Sequence, residues 1–458
     1  MGRTSSELTS TEQAAARLES DRVVETLRRE IVLGILPAGE ALVERSLGER
    51  FGVSSRLPIR EALRRLKAEA LIDQAPRRRA TVREFSGRDL ANTAEVFEII
   101  DVHAVRLAAL RRNHADLAAM KLHVDGSKQA LLSGDRTAQS MHARGFRSAI
   151  FAAAKNPALL EVRDRIDARV WRMVEQKVRQ TDPGSLYTEL FAAISDADAT
   201  SAVACFSSYM TRWKGLWSEH AFVRIDAQLK NPIGTAAQPG PAKRRASKEP
   251  DFAPEFHGVL NTLRTQILDG RRSAGEVLSE RLIGQEFGLS RSPVTEAIDA
   301  LVLEGLAIAP TNRSAALVRG VPPEEVADFL GVCTILDTLA TRLAAERASS
   351  AQIEHMRRLV DEEDHASKSG DARLLMQYCG RWRVLLHEMS SNDVLADVGR
   401  LVQGRLQLTM GRTKQNLMMA RSHRLIFEAI ESRQPEVAEE VVRRALSSAS
   451  LNGISATV

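Results

Sequence analysis

Residues 44–71, ERSLGERFGVSSRLPIREALRRLKAEAL, read as a helix, a tight turn and a second helix. Leu47 and Phe51 give the first helix an apolar side at i, i+4. Gly52 ends it, because glycine accepts the left-handed cap that residues with a Cβ resist. Ser54 or Ser55 can cap the second helix. Pro58 falls in the first turn of that helix, where a missing N–H costs nothing. Ile59, Ala62, Leu63 and Leu66 then form an apolar stripe, and the other faces carry Arg56, Arg60, Arg64, Arg65 and Lys67. This layout suits a helix-turn-helix whose second helix enters a DNA major groove. The plainer reading is an amphipathic hairpin with a solvated basic face.

The stretch resembles the DNA-binding head of the GntR family of bacterial transcription regulators. The resemblance is carried by Phe51-Gly52-Val53-Ser54 and by Pro58-Ile59-Arg60-Glu61-Ala62-Leu63. One extra residue lies between Val53 and Pro58, so Ser55 and Arg56 compete for the place of the family's arginine after serine. The family head ends in a short β wing, and Leu71 to Glu84 reads as two short strands around Pro76-Arg77-Arg78-Arg79. The family wing tip usually carries a glycine; three arginines stand here, trading close approach for charge or forming a merely solvated loop. The expected DNA contacts are Arg45, Ser54, Ser55, Arg56, Arg60, Arg77, Arg78 and Arg79.

The same pattern occurs twice. Phe287-Gly288-Leu289 repeats Phe51-Gly52-Val53 at 287 − 51 = 236 residues, and Arg342-Leu343-Ala344-Ala345 repeats Arg106-Leu107-Ala108-Ala109 at the same offset. Pro293-Val294-Thr295-Glu296-Ala297-Ile298 repeats the Pro58 run at 293 − 58 = 235, since the extra residue is missing from the second copy. A period this long is a domain duplication, not a solenoid. The second head offers Arg281, Ser290, Arg291, Ser292, Thr295 and Arg313 to DNA.

The 458 residues suffice for several domains, and 44% of them are hydrophobic, enough for several cores. Lys+Arg minus Asp+Glu is 64 − 59 = +5, which fits local basic patches and not a polycation. Three cysteines, Cys205, Cys333 and Cys379, make no disulfide framework and imply a reducing cytoplasm. No apolar run approaches the roughly 18 residues of a membrane span, and no signal peptide is legible. No glycine-rich phosphate loop, paired zinc motif or nucleophile motif appears, so an enzyme is not expected.

Read in order, residues 1–18 are a loose polar tail, 19–85 a winged helix-turn-helix domain and 86–225 an all-helical bundle. Helices are expected over Asp89–Arg112, Ala115–Leu132, Arg136–Ala154, Leu159–Val178, Leu186–Ile194 and Ala197–Trp217. Residues 226–250 carry Pro232, Gly234, Pro239, Gly240, Pro241 and the Lys243-Arg244-Arg245 cluster, a flexible basic linker. A second winged head, 251–320, and a second bundle, 321–450, follow. The fold class is therefore mainly α: two winged heads with small β wings and two all-α bundles.

The bundles resemble the effector-binding domain of the FadR subfamily of GntR regulators. Asp101 with Arg106-Leu107-Ala108-Ala109, and Phe146 with Asn156, carry the likeness in the first copy; Trp382, Asn392 and His423 carry it in the second. Many such bundles hold a divalent metal with one aspartate and three histidines. Carried over residue by residue, those positions are Ala143, Arg147, Tyr187 and Tyr209 in the first copy. In the second they are Cys379, Arg383, His423 and Ala445. Neither is a convincing ligand set, so no metal and no cofactor is expected. Arg147 and Arg383 are equivalent, since 383 − 147 = 236, and each replaces a ligand histidine with a fixed positive charge. Such an arginine can take a small carboxylate bidentately, with His423 beside it in the second copy, or can pair with a carboxylate of its own bundle and fill a dead pocket.

The resemblance implies a DNA-binding regulator in which one chain supplies both heads to a double-stranded operator. Thr295 in the place of Arg60 makes the heads unequal and the expected operator an imperfect palindrome, and Arg147 and Arg383 make a small carboxylate a candidate effector. The alternative keeps DNA binding and makes the bundles protein-interaction and dimerisation modules without a small-molecule effector. No membrane partner is expected, and pairing with a second chain is left open.

Overall fold

The computed structural model describes residues 5–53, 57–73, 79–177, 184–212, 254–268, 270–308, 315–410 and 413–454. They divide into two compact units, Met1–His103 with Lys155–Thr181 and Gly258–Val458, and Ala104–Ala154 with Asp182–His257.

The first unit contains both heads. Head one is α1 (Ser5–Val32), β1 (Ala41–Leu42), α2 (Glu44–Phe51), α3 (Leu57–Ala68), β2 (Ile72–Asp73) and β3 (Ala80–Val82). Val24, Leu27 and Ile31 of α1 are buried with Leu47 of α2 and with Ile59, Ala62, Leu63 and Leu66 of α3, the stripe read from the sequence. Gly52 closes α2 at φ 64°, the left-handed region that its lack of Cβ permits. The wing is a three-stranded antiparallel sheet of order β1-β3-β2, with Leu42 opposite Ala80 and Ile72 opposite Val82. Strand β1 is two residues long, too short for any alternation to show in the sequence. Helix α1 also begins at Ser5, inside the stretch expected to be loose; Ala14, Ala15 and Ala16 are strong helix formers and carry it.

Head two repeats the design with α10 (Pro254–Leu268), β4 (Val277–Leu278), α11 (Glu280–Phe287), α12 (Arg291–Leu303), β5 (Ala307–Ile308) and β6 (Ala316–Val318). Its sheet order is β4-β6-β5, and Gly288 repeats the φ of 64°. Leu263, Ile267, Ile283, Val294, Ala297 and Leu301 form its core.

The bundle helices of the first copy are α4 (Gly87–Arg111), α5 (His114–Ser133), α6 (Arg136–Ala153), α7 (Pro157–Lys177), α8 (Gly184–Ser195) and α9 (199–212). Each starts within two residues of its expected position. In the second unit α5 packs on α6 and α8 around Met120, Val124, Phe146, Ile150, Phe151, Leu190 and Ile194. Asn113 and Asp116 form a reciprocal capping box at the start of α5, satisfying two otherwise orphaned N–H groups. The second bundle lies wholly in the first unit: α13 (Val326–Arg347), α14 (Ser350–Ser369), α15 (Ala372–Met389), α16 (Asp393–Met410), α17 (Thr413–Glu431) and α18 (Pro435–Ile454). Helix α13 is buried along most of its length and packs on α15, α16, α17 and α18.

Inside the first unit the two copies meet through contacts that come in pairs. Asn392 Nδ2 donates to the Asn92 carbonyl at 3.0 Å, and Asn156 Nδ2 donates to the Asp328 carbonyl at 3.2 Å. Both residues of the second contact are related to the first by the repeat offset, 392 − 156 = 236 and 328 − 92 = 236. Arg169 pairs with Asp397 at 2.8 Å and Arg405 with Glu161 at 2.6 Å; again 405 − 169 = 236 and 397 − 161 = 236. Each member of a pair meets the counterpart of its partner. This is the reciprocity of an isologous two-fold interface, here made within one chain.

Candidate nucleic-acid interface and bundle pockets

In a helix-turn-helix the second helix enters the groove by its N-terminal end, so the residues there are the ones to place. In head one Arg60 lies one turn into α3, with its side chain 62% exposed, and its Nε donates to Glu44 at 2.9 Å. Arg45, on α2, has a side chain 82% exposed and pairs with Glu49 at 3.0 Å. Arg79 is exposed and immediately precedes β3. Ser54, Ser55, Arg56, Arg77 and Arg78 lie outside the described residues, as does Arg313 of the second head.

Head two is built alike and charged differently. Ser290 is the residue before α12 and its hydroxyl makes no cap hydrogen bond, which leaves it to the solvent side of the helix end. Arg291 opens α12 and is held by Glu280. Glu280 and Glu44 are equivalent, 280 − 44 = 236, so each head keeps one carboxylate at the start of its first motif helix. The position is favourable, because the helix dipole presents positive charge there. The same carboxylate holds an exposed arginine of the second helix in both heads, although the arginine comes from a different place in the repeat. Arg281 is exposed on α11. Ser292 Oγ donates to Glu296 at 3.2 Å, and Thr295 Oγ1 is turned back onto the Arg291 carbonyl at 3.0 Å. Thr295, in the place of Arg60, therefore spends its hydroxyl on its own helix.

In the second bundle Arg383 is buried and paired with Asp337 of α13. His387, one turn further along α15, brings Nε2 to the same carboxylate at 2.9 Å and Nδ1 to the Leu395 carbonyl at 3.2 Å. The ring fits because position 399 is glycine; a Cβ there would stand 2.1 Å from His387 Nδ1. A small pocket lined by Arg383, His387, Gly399, Arg400 and Gln403 adjoins the pair. Arg383 Nε is buried and makes no hydrogen bond among the described residues.

A second buried group lies one turn away. His423 stacks on Trp382, with ring centroids 3.8 Å apart and planes at 6°, and its Nδ1 meets Glu363 Oε1 at 2.8 Å. Cys379 completes a trio whose potential ligand atoms lie within 4.8 Å of one another. Sequence reasoning found Cys379 and His423 and missed Glu363. That residue sits in the acidic run Asp361-Glu362-Glu363-Asp364, which reads as solvated surface. Its helical phase with buried Ile353, Met356 and Val360 was the available signal. The trio offers ligands of the kind zinc takes, but in a discouraging state. Burial, reinforced by the Glu363 carboxylate, pushes the Cys379 thiol far above its ordinary value, against the thiolate that metals bind. His423 already spends Nδ1 on Glu363. In the second unit Arg147 is buried with its guanidinium 4.8 Å from the Phe151 ring centre, and Tyr187 packs on Phe146. Burial pushes the Tyr209 hydroxyl up to about 12, so it stays neutral. The first copy therefore places an arginine, two phenols and Ala143 at the four positions.

The model of the bacterial regulatory proteins of the gntR family matches residues 19–82 and again 257–317. The FCD domain model matches 92–212 and 328–448, which is 121 + 121 = 242 of 458 residues. The chain belongs to the GntR family. It carries the GntR-type head and the FCD domain twice over, in tandem. Curated GntR-type relatives align with less than half of it. A Bacillus subtilis (strain 168) protein described as the uncharacterized HTH-type transcriptional regulator YdhC is 24% identical over 194 residues, 41% of this chain and 86% of its own. The HTH-type transcriptional regulator McbR of Escherichia coli (strain K12) is 27% identical over 195 residues, 41% of this chain and 88% of its own. The solved structure of E. coli McbR/YncC aligns with a TM-score of 0.37 at 18% identity, covering 43% of this chain and 95% of that one. This GntR-family chain is a DNA-binding transcriptional regulator and not an enzyme. None of its described helices is long and apolar enough to cross a membrane.

Proposed function

We propose that this regulator reads an imperfectly palindromic operator in the cytoplasm as a fused pseudo-dimer, one head to each half-site. The reading rests on the reciprocal contacts between the copies: Asn156 and Asn392, and Arg169 and Arg405, each reach across to the counterpart of the other's partner. Two-fold protein symmetry is mirrored in two-fold operator symmetry. The heads then differ where bases are read. Arginine makes the two-pronged contact with guanine, and threonine is too short for it; one such contact carries about 1–3 kcal/mol of discrimination. Arg60 must first leave Glu44, and Arg291 must leave Glu280, so DNA phosphates and bases compete with carboxylates of the protein. In this account Arg45 and Arg77 to Arg79 contact phosphates, and Arg281, Ser290, Arg291, Ser292 and Arg313 do the same work in the second head. DNA recovered by the purified protein from a random library, then cut into single half-sites, tests the reading. A stronger first half and a weaker, different second half are expected.

For the bundles, Asp337 favours the reading in which they pair the two halves and take no small carboxylate. It already occupies Arg383, and a ligand acid must displace it. The competing reading, a carboxylate effector held by Arg383 in one bundle and Arg147 in the other, draws on the unpartnered Arg383 Nε. Calorimetry with a panel of small carboxylates separates the two. Binding that is weakened by Arg383→Ala supports an effector; no heat across the panel supports pairing modules.

A further inference from the structure

Helices α3 and α12 meet at equivalent positions. Arg64 Nη1 donates to Asp299 Oδ2 at 2.5 Å, and 299 − 64 = 235 is the repeat offset of that stretch. A residue that meets its own counterpart sits on the local two-fold axis. In a homodimer such a position confronts a side chain with itself. Two copies of the first head would there place Arg64 against Arg64, and two copies of the second Asp299 against Asp299. Only the mixed pair joins opposite charges.

The reciprocal ion pairs across the axis do not discriminate in this way. Arg169 meets Asp397, and in a pairing of two first copies it would meet Glu161, which is also acidic. Arg405 meets Glu161, and in a pairing of two second copies it would meet Asp397. Asn156 and Asn392 both use carbonyl acceptors, which every residue has, and Asn392 donates in addition to Glu95 Oε2 at 2.9 Å. The reciprocal contacts thus hold two halves together without choosing which halves they are. Arg347 also reaches Glu95 across the copies, and the counterpart of Glu95 is Gly331, since 331 − 95 = 236, so a pairing of two second copies forfeits that ion pair. Of the pairs named, the one on the axis, where the copies have diverged to opposite signs, opposes both like pairings. Arg64 is also braced by Glu61 on its own helix, with Nη2 at 3.0 Å from the carboxylate, so its guanidinium is presented to α12 in a fixed place.

We propose that Arg64 and Asp299 form a selectivity lock that makes each head pair with the other head of its own chain and disfavours pairing with the like head of a second chain. The proposal rests on the two-headed reading above and adds a partner rule to it. Both side chains are part-exposed, 52% and 35%, so the lock is a modest electrostatic preference and not a buried clasp. Opposite charges are favoured and like charges disfavoured by similar small amounts, which together give a preference of roughly 5–10-fold.

The test uses the full chain in two arms. In the first, thiols are introduced and bridged with a short bis-maleimide at low protein concentration. R64C/D299C should cross-link within the chain and run as a monomer, with proteolysis placing the bridge between α3 and α12. Bridging of R64C/D299C only between chains, or no bridge between α3 and α12, would overturn the contact on which the lock rests. In the second arm, DNA selected by the wild-type protein is titrated with D299R, R64D and R64D/D299R. Each single reversal should weaken binding to the two-half site by roughly 5–10-fold more than it weakens binding to single half-sites. The double reversal should restore binding. Single reversals without effect, or a double variant as weak as the singles, would overturn the lock. Failure to select any DNA would count against the two-headed reading alone, because the cross-linking arm does not depend on DNA.

Discussion

Arg383 and Asp337 provide the sharpest energetic prediction. Their side chains are 6% and 8% exposed, and His387 beside them is 5% exposed, so the trio has little water to fall back on. Replacing Asp337 by leucine removes a carboxylate of similar volume and leaves a guanidinium buried without its counter-charge. Breaking a buried pair in this way costs about 3–5 kcal/mol. Arg383→Met strands the carboxylate instead and should cost a comparable amount. The double variant carries no stranded charge. Exchanging a buried pair for apolar groups is often near neutral, but here His387 also loses its acceptor, at about 1–3 kcal/mol. The double variant should therefore be destabilised by only about 1–3 kcal/mol, far less than the sum of the single changes. A chain of several domains does not unfold in two states, so the readout is amide exchange in α13 and α15, which reports the opening of those helices. Single variants that cost less than about 1 kcal/mol would refute the reasoning, since Arg383 would then be solvated and free to take an acid ligand.

Three further outcomes follow from the same geometry. Changing both Arg56 and Arg60 to alanine should lower operator affinity and flatten its salt dependence in a filter-binding titration; wild-type binding would remove head one's helix from the interface. Thr295→Arg should strengthen the second half-site by about 1–3 kcal/mol if a guanine lies within reach, read as half-site affinity by gel shift, and no gain would show that this position does not face a base. The purified protein should be essentially free of zinc, nickel and manganese by elemental analysis, because the Cys379 thiol holds its proton and His423 is engaged by Glu363; near one metal per chain would instead make Glu363, Cys379 and His423 its ligands.

How much could be read in advance depends on how far apart the deciding residues lie in the chain. The helix-turn-helix was legible because its signals are local: Gly52 for the cap, Pro58 for the first turn, and Ile59 to Leu66 for one apolar stripe. The duplication was legible because an offset of 236 needs only the sequence compared with itself. Strand β1 was not, since two residues show no alternation, and its pairing with β3 joins Ala41 to Thr81 across the whole motif. In the bundle, Arg383 was found by its place in the repeat, but the choice between ligand holder and dead pocket depended on Asp337, 46 residues earlier on another helix. Glu363 hid among four consecutive acids, and only its helical phase distinguishes it. Arg60 was legible as an exposed cation; that Glu44 holds it was not, because the contact depends on how α2 crosses α3.

The account stands on one measurement above the rest: sequencing the DNA that the purified full-length protein retains from a random double-stranded pool. The prediction is a single enriched site with two half-sites of unequal sequence and unequal information content, the stronger one lost in the Arg56 and Arg60 double variant. Enrichment of a perfect palindrome, of one isolated half-site, or of no sequence at all would contradict it.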